Sequence, residues 1–354
     1  MKALLITYDL QPPWDSGLKV YGRGLMHSMQ NVVGMKLDTV HDIHDISNSR
    51  DYDYVHVVLT GFRPFAKALK TFKQAKIFKH IVTPSIGIRS VLATKTCYAI
   101  INRLENRLVK CFSSEFVARS YFINGNRIIP PSIDTSVFVN SDNIRAKKLN
   151  EFLEVSPIKY GLDNLKHNSD TLILYSGPLT EDRFPYKKVL TALNGTRSKM
   201  LIIGRPTNNG AAAERIEEII SYSRRLNIES KIAVALKLLN EEEKVSLLNL
   251  SDVIIQPFTK ATQEYVAVDP PIFLLEAMAC GKPVITSRAY SFQSFIKNGY
   301  NGYTIDWDNS DELEEALLGC QNAELGMNAR QTVLQQFSHD SVSQKLKKLY
   351  NDYN

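Results

Sequence analysis

Cysteine is scarce: the 354-residue chain has four, at Cys97, Cys111, Cys280 and Cys320, with no CxxC spacing and no paired histidine. That excludes a disulfide-stapled miniprotein, argues against a structural zinc site and suits a reducing compartment. No uninterrupted run of about twenty apolar residues occurs, and the opening Ala3-Leu4-Leu5-Ile6 stretch turns polar too soon for a secretory leader. A soluble cytoplasmic protein is expected. Repeats and low-complexity tracts are missing too. With 44% hydrophobic and 23% charged residues, disorder and collagen are excluded, and the length fits about two domains.

Acidic residues are nearly missing from one stretch. Arg63 to Lys110 holds eleven basic side chains and one acid, Glu105; residues 1–163 carry 22 basic against 14 acidic, and the remainder 21 against 23. The overall charge of +6 does not by itself imply nucleic acid. No stacking aromatics alternate with these charges and no nucleic-acid motif is present, so nucleic acid is not expected as a partner. Pro64 to Lys79 reads as an amphipathic helix with Phe65, Leu69 and Phe72 apolar and Lys67, Lys70, Lys73 and Lys76 at helical spacing. Two readings stand equally: a helix on a sheet with its lysines in water, or peripheral contact of Arg63–Lys110 with an anionic membrane, at the inner face of the cell membrane.

What is present is an alternation of short apolar runs with helical patterns, the rhythm of an α/β chain with doubly wound parallel sheets. Strands are predicted at Ala3–Tyr8, Tyr54–Leu59, Lys79–Val82 and Leu108–Ser113. A second series follows at Thr171–Tyr175, Met200–Ile203, Ile232–Leu236, Val253–Gln256 and Val284–Thr286. Ser141 to Asp170 is polar, shows no strand pattern and reads as an interdomain region. The division expected is 1–163 and 164–337, with 338–354 packing back on the first domain through Val342, Leu346, Leu349 and Tyr350, which share one helical face. Ligands of such sheets bind beyond the carboxyl ends of the strands.

The most informative stretch is Val268-Asp-Pro-Pro-Ile-Phe-Leu-Leu-Glu-Ala-Met-Ala-Cys-Gly-Lys-Pro-Val-Ile-Thr286. The double proline suits a helix start, Ile272 to Ala279 form the helix and Gly281 ends it. The free amides of Ile272, Phe273 and Leu274 make an anion site fit for a diphosphate. Glu276, one turn inside, either accepts ribose hydroxyls or is a surface glutamate; the helix alone does not choose. Ser16-Gly17-Leu18 sits at the turn from first strand to first helix, where a small residue and helix amides admit a diphosphate closely. His56, inside a strand, reads as a core histidine.

This set of segments resembles the retaining glycosyltransferases of the GT-B fold, family four in particular, whose pattern runs E-G-F-G-x-x-x-L-E-A-M-A-x-G-x-P-V-I. Gln11-Pro-Pro-Trp-Asp-Ser-Gly-Leu18 is similar to the amino-terminal P-P-x-x-G-G loop, and Ile128 to Phe138 to the I-P-x-G-I-D-x-x-x-F segment. Leu174-Tyr-Ser-Gly177-Pro-Leu179 and Leu201-Ile-Ile-Gly204 resemble the first two strand-loops of the second domain. The resemblance implies two Rossmann-like domains facing a cleft, with a nucleotide-diphosphate sugar as donor and a glycan, lipid-linked or other hydroxyl acceptor. It implies retention of configuration, no permanently bound cofactor, and donor contacts from Ser16, Gly17, Leu18, Gly177, Gly204, Ile272, Phe273, Leu274 and Glu276.

The departures matter equally. Val268 stands where the family has its first glutamate, with Asp269 one residue later as a substitute for the sugar contact or as a helix cap. Pro178 replaces an arginine, and Arg183 falls where a lysine is expected. Arg183, Lys187 and Lys188 are therefore the candidates for stabilising the leaving diphosphate. Ser85 replaces a histidine near the reacting sugar, and Arg288 follows the signature strand. The triplets Asp51-Tyr-Asp53 and Asp306-Trp-Asp308 are weak metal signals, and no essential metal is expected. The alternatives are a non-catalytic nucleotide-sugar-binding or scaffold protein of the same fold and, less favoured, a nucleotide-sugar epimerase.

Overall fold

The computed structural model describes residues 1–13, 16–41, 52–60, 63–83, 107–121, 127–140, 159–165, 171–259, 268–289 and 291–353. Ser85, Asp51 and Cys97 lie outside the described residues. The chain divides into two units. The first comprises Met1–Asp134, Ala261–Ile272 and Gln335–Asn354, the second Thr135–Lys260 and Phe273–Leu334.

In the first unit β1 (Lys2–Ile6), β2 (Lys36–Val40), β3 (Tyr54–Val57), β4 (Lys76–Ile81) and β5 (Leu108–Phe112) form a parallel sheet in the order β2-β1-β3-β4-β5. Successive side chains on a strand point to opposite faces. Ala3, Leu5 and Phe78 therefore meet Tyr21, Leu25 and Met29 of α1 (Gly17–Gln30), together with Val342, Leu346, Leu349 and Tyr350 of the last helix, His339–Asn351. Leu4, Ile6, Val55, Val57 and Ile77 meet Phe65, Ala68 and Leu69 of α2 (Arg63–Thr71) on the other face.

Two expectations are corrected here. The basic helix does not run to Lys79: α2 ends at Thr71, and Lys76 and Lys79 belong to β4. Lys76 lies 4.6 Å from the Tyr353 ring centroid. Lys79 is buried, donates to the Leu59 carbonyl and is pulled down to about 8 by desolvation. Of the basic stripe only Lys67 and Lys70 remain on the helix. The second correction is β2, unanticipated because it is a partly exposed edge strand (Lys-Leu-Asp-Thr-Val) rather than an apolar run.

The first core also holds a directed chain of hydrogen bonds. Tyr21 Oη lies 3.0 Å from the Ile129 carbonyl, which can only accept, so Tyr21 donates there and receives the His80 Nδ1–H at 2.8 Å. His80 Nε2 is then bare and accepts the His56 Nδ1–H at 2.8 Å, while His56 Nε2 accepts from Tyr350 Oη at 3.0 Å. Burial keeps both imidazoles neutral, the protonation that this order of donors and acceptors uses. Desolvation holds His56 at about 3; His80 is also well below its usual range, through desolvation first and then His56 and Lys79.

The second unit is a seven-stranded sheet in the order β12-β11-β10-β7-β8-β9-β6. Its strands are β6 (Lys159–Tyr160), β7 (Leu172–Gly177), β8 (Lys199–Gly204), β9 (Ile232–Leu236), β10 (Val253–Gln256), β11 (Val284–Ser287) and β12 (Gly302–Ile305). All pairings are parallel except β6 with β9, a two-residue edge inside the segment expected to lack strands. Ile173, Tyr175, Met200 and Ile202 pack with Val189, Leu193, Ile216 and Ile219 of the flanking helices.

The Ile272–Ala279 helix ends as expected, with Gly281 at φ +69°. There the amides of Gly281 and Lys282 return to the carbonyls of Met278 and Ala277. Gly326, on the Ala323–Gln336 helix, comes so close that a Cβ added to it falls 2.2 Å from the Gly281 carbonyl oxygen. Gly326→Ala is therefore expected to lower stability by about 1–3 kcal/mol through overpacking, read as an earlier urea midpoint with unchanged slope.

Candidate functional site

The carboxyl ends of β7 and β8 bring two of the expected residues together. Gly177 and Gly204 end β7 and β8 side by side in register, and the chain beyond each continues the ladder, Arg205 N–H to Gly177 O at 3.0 Å and Lys237 N–H to Gly204 O at 2.9 Å. A Cβ on Gly204 would lie 2.6 Å from Leu179 and 2.8 Å from Leu236, so a side chain there would have to displace both leucines.

Ile272, Phe273 and Leu274 form the first turn of their helix, whose amides have no intrahelical partner. Glu276 follows one turn in. It is 2% exposed, and its Oε1 receives Lys244 Nζ at 2.5 Å. Lys244 comes from the Glu241–Leu250 helix, which Asn240 and Glu243 cap reciprocally. It also lies 5.2 Å from the Phe138 ring centroid. Sequence reasoning missed Lys244. The available signal was its spacing from Leu247 and Leu248, which puts a cation on the buried face of its helix.

The three basic candidates do not converge on one point. Arg183 is buried, 3.5 Å from Asp182, with its guanidinium 4.6 Å from the Phe258 ring centroid. Lys187 is exposed, 5.9 Å from the ring centroid of Tyr186. Lys188 is tied to Asp308 at 2.7 Å. Arg288 pairs with Glu312 at 2.6 Å.

In the first unit Ser16 caps α1, its hydroxyl accepting the Leu18 amide at 3.2 Å, and Gly17 is exposed. Val268 packs closely over that glycine: its Cγ2 lies 3.0 Å from where a Gly17 Cβ would stand, and it belongs to the core. An apolar core residue thus stands where the resemblance leads one to expect a glutamate.

Asp269 is completely buried. Its amide donates to Val82 O at 3.0 Å, its carbonyl accepts from the Ser113 hydroxyl, and its carboxylate accepts from Ser114. Ser114 in turn caps the helix Glu115–Ser120 by accepting the Val117 amide. Asp269 is thereby fixed to the loop after β5; these serines carried no signal in the sequence. His56 is the buried core histidine expected.

Among the described residues no group of three or more His, Cys, Asp or Glu side chains is arranged to hold a metal ion, and no helix is long and apolar enough to cross a membrane.

Residues 163–332 match the family model described as Glycosyl transferases group 1. N-acetyl-alpha-D-glucosaminyl L-malate synthase from Bacillus anthracis is 28% identical over 139 residues, 38% of this chain and 34% of that protein. The chain spans about a third to a half of the length of the curated relatives it matches. Among solved structures, a glycosyltransferase from Rickettsia africae has a TM-score of 0.69 at 17% identity, covering 99% of this chain and 98% of that one. HepE from Anabaena, solved with UDP and glucose, has a TM-score of 0.66 at 14% identity, covering 99% and 100%.

Proposed function

Since the chain has the GT-B fold and its residues 163–332 belong to the glycosyl transferases group 1, we propose that it moves a sugar from a nucleotide-diphosphate sugar to a hydroxyl of a glycan or lipid-linked acceptor, with retention. The observation that carries this reading is Glu276: a buried carboxylate, one turn inside a helix whose first amides are free, held by Lys244. Lys244 fixes Oε1 and leaves Oε2 to accept ribose hydroxyls. The amides of Ile272, Phe273 and Leu274 meet the diphosphate, and of the basic candidates the exposed Lys187 supplies positive charge, Arg183 being buried beside Asp182 and Lys188 held by Asp308. In the first unit, Ser16, Gly17 and Leu18 offer a second set of helix amides.

In the step itself the bond from the anomeric carbon to the diphosphate oxygen breaks. A bond to the acceptor oxygen forms on the same face, and the acceptor proton passes to the departing phosphate oxygen. Such a step needs charge stabilisation and positioning rather than a protein nucleophile. Asp269, fixed beneath Ser114, acts as a positioning residue for the loop that leads into the Ile272–Ala279 helix. Val268 favours a second reading, donor binding without transfer, which donor binding with neither transfer nor donor hydrolysis would identify.

The test is thermal stabilisation by nucleoside diphosphates, UDP first because the Anabaena neighbour was solved with it. A ligand at ~100 times its Kd adds about 2.7 kcal/mol to the folded state, so a clear rise in midpoint is expected. Most of that rise disappears in the double variant Glu276→Ala/Lys244→Met, which removes the carboxylate without stranding the lysine. No rise with UDP, GDP or ADP at millimolar concentration overturns the donor site.

A further inference from the structure

One sequence motif remains unused by this function, the Asp306-Trp-Asp308 turn after β12. Together with the ends of β10 and β11 it lines a cavity of about 530 Å³ in the second unit, within the range of ~300–1,000 Å³ typical of small-molecule sites. The cavity opens at the carboxyl edge of a parallel sheet, where ligands of α/β folds bind. Neither Glu276 nor Gly177 nor Gly204 is among its lining residues, so it is separate from the ribose contact proposed above.

Its chemistry is specific. Two aromatic side chains, Phe258 and Trp307, contribute apolar surface. The charges balance and are already satisfied: Lys188 lies 2.7 Å from Asp308, Arg288 lies 2.6 Å from Glu312, and Asp306 Oδ1 accepts the Asp308 amide at 3.0 Å. A phosphate would find Lys188 and Arg288 each already held by a carboxylate. Two hydrogen-bonding groups of lining residues, the Trp307 indole Nε1 and the Ser287 hydroxyl, are closed off from solvent and have no partner among the described residues; Trp307 and Ser287 are themselves only 6% and 7% exposed. Buried donors of this kind are ordinarily paired.

A neutral ligand rich in hydroxyls meets all of these conditions. Its C–H faces stack on the aromatic rings, its hydroxyls donate to Asp306 and Asp308, and a small adjustment of the wall brings its oxygens to the indole and serine donors. We propose that this cavity is a saccharide subsite holding one neutral hexose-type unit of a glycan. Its occupancy does not depend on the nucleotide site.

Trp307 is itself the reporter. The chain has two tryptophans, so Trp14→Phe leaves Trp307 as the sole indole. Glucose, galactose, mannose and N-acetylglucosamine, with glycerol as control, are titrated against its emission. At least one sugar is expected to give a saturable change that glycerol does not. The change is lost on filling the cavity by Ala289→Phe, weakened by Asp308→Asn on the exposed rim, and retained in Glu276→Ala/Lys244→Met even if that variant or the parent fails to bind nucleotide. No saturable change with any of the four sugars overturns the proposal, as does a change that survives both cavity variants.

Discussion

Glu276→Ala is expected to destabilise the protein by about 3–5 kcal/mol, and Lys244→Met added to it to return most of that loss. The two side chains are 3% and 13% exposed, and a buried pair behaves asymmetrically. Removing one partner strands a desolvated charge, whereas replacing both with apolar groups is close to neutral. The four-corner cycle of parent, two single variants and the double, measured by urea unfolding, isolates the coupling. Equal losses in Glu276→Ala and in the double variant would show that Lys244 gains nothing from the carboxylate. The result also bears on function, because a Glu276 variant that loses nucleotide binding is interpretable only when its loss of stability is compensated.

The second large effect is on acid stability. His56 and His80 are neutral in the folded chain, whereas in the unfolded chain an imidazole takes a proton near pH ~6.5. Below that pH the unfolded state therefore binds more protons, and stability falls as pH falls. The loss continues toward the folded-state value of about 3 for His56. From pH ~7.5 to ~5 His56 alone removes about 2 kcal/mol, and His80 acts in the same direction. His339, lowered chiefly by burial and partly restored by Asp134, adds a smaller contribution of the same sign. Urea midpoints measured at intervals across this window should decline steadily, ahead of ordinary carboxylate protonation. A flat profile would mean that one of the two imidazoles is already protonated and the hydrogen-bond order runs differently.

The outline of both sheets was legible because strands buried on both faces are written as continuous apolar runs. Met200–Ile203 and Ile232–Leu236 lie within β8 and β9 for that reason. The edges were not: β2 and β6 are short or half-exposed, with no apolar run to mark them. Lysines at 67, 70, 73, 76 and 79 keep a spacing of three that mimics a helix face. What breaks the helix is tertiary, the Lys76 amide donating to Asp53 across the sheet.

The site divides in the same way. Ile272 to Gly281 was readable because prolines, helix formers and a terminal glycine dictate local geometry. Lys244 was hidden because it meets Glu276 from a separate helix. The burial of Val268 against Gly17 was likewise invisible in a string of residue types.

The segmented make-up of the first unit has a consequence for synthesis. Translation delivers the chain from the amino terminus, and domains ordinarily fold in that order. Here one face of the first sheet needs Val342, Leu346, Leu349 and Tyr350, and His56 waits for the hydroxyl of Tyr350. The second unit has all its residues by Leu334. The half made first is therefore the half finished last, and a nascent chain halted before residue 342 exposes an apolar sheet face of the kind that chaperones bind.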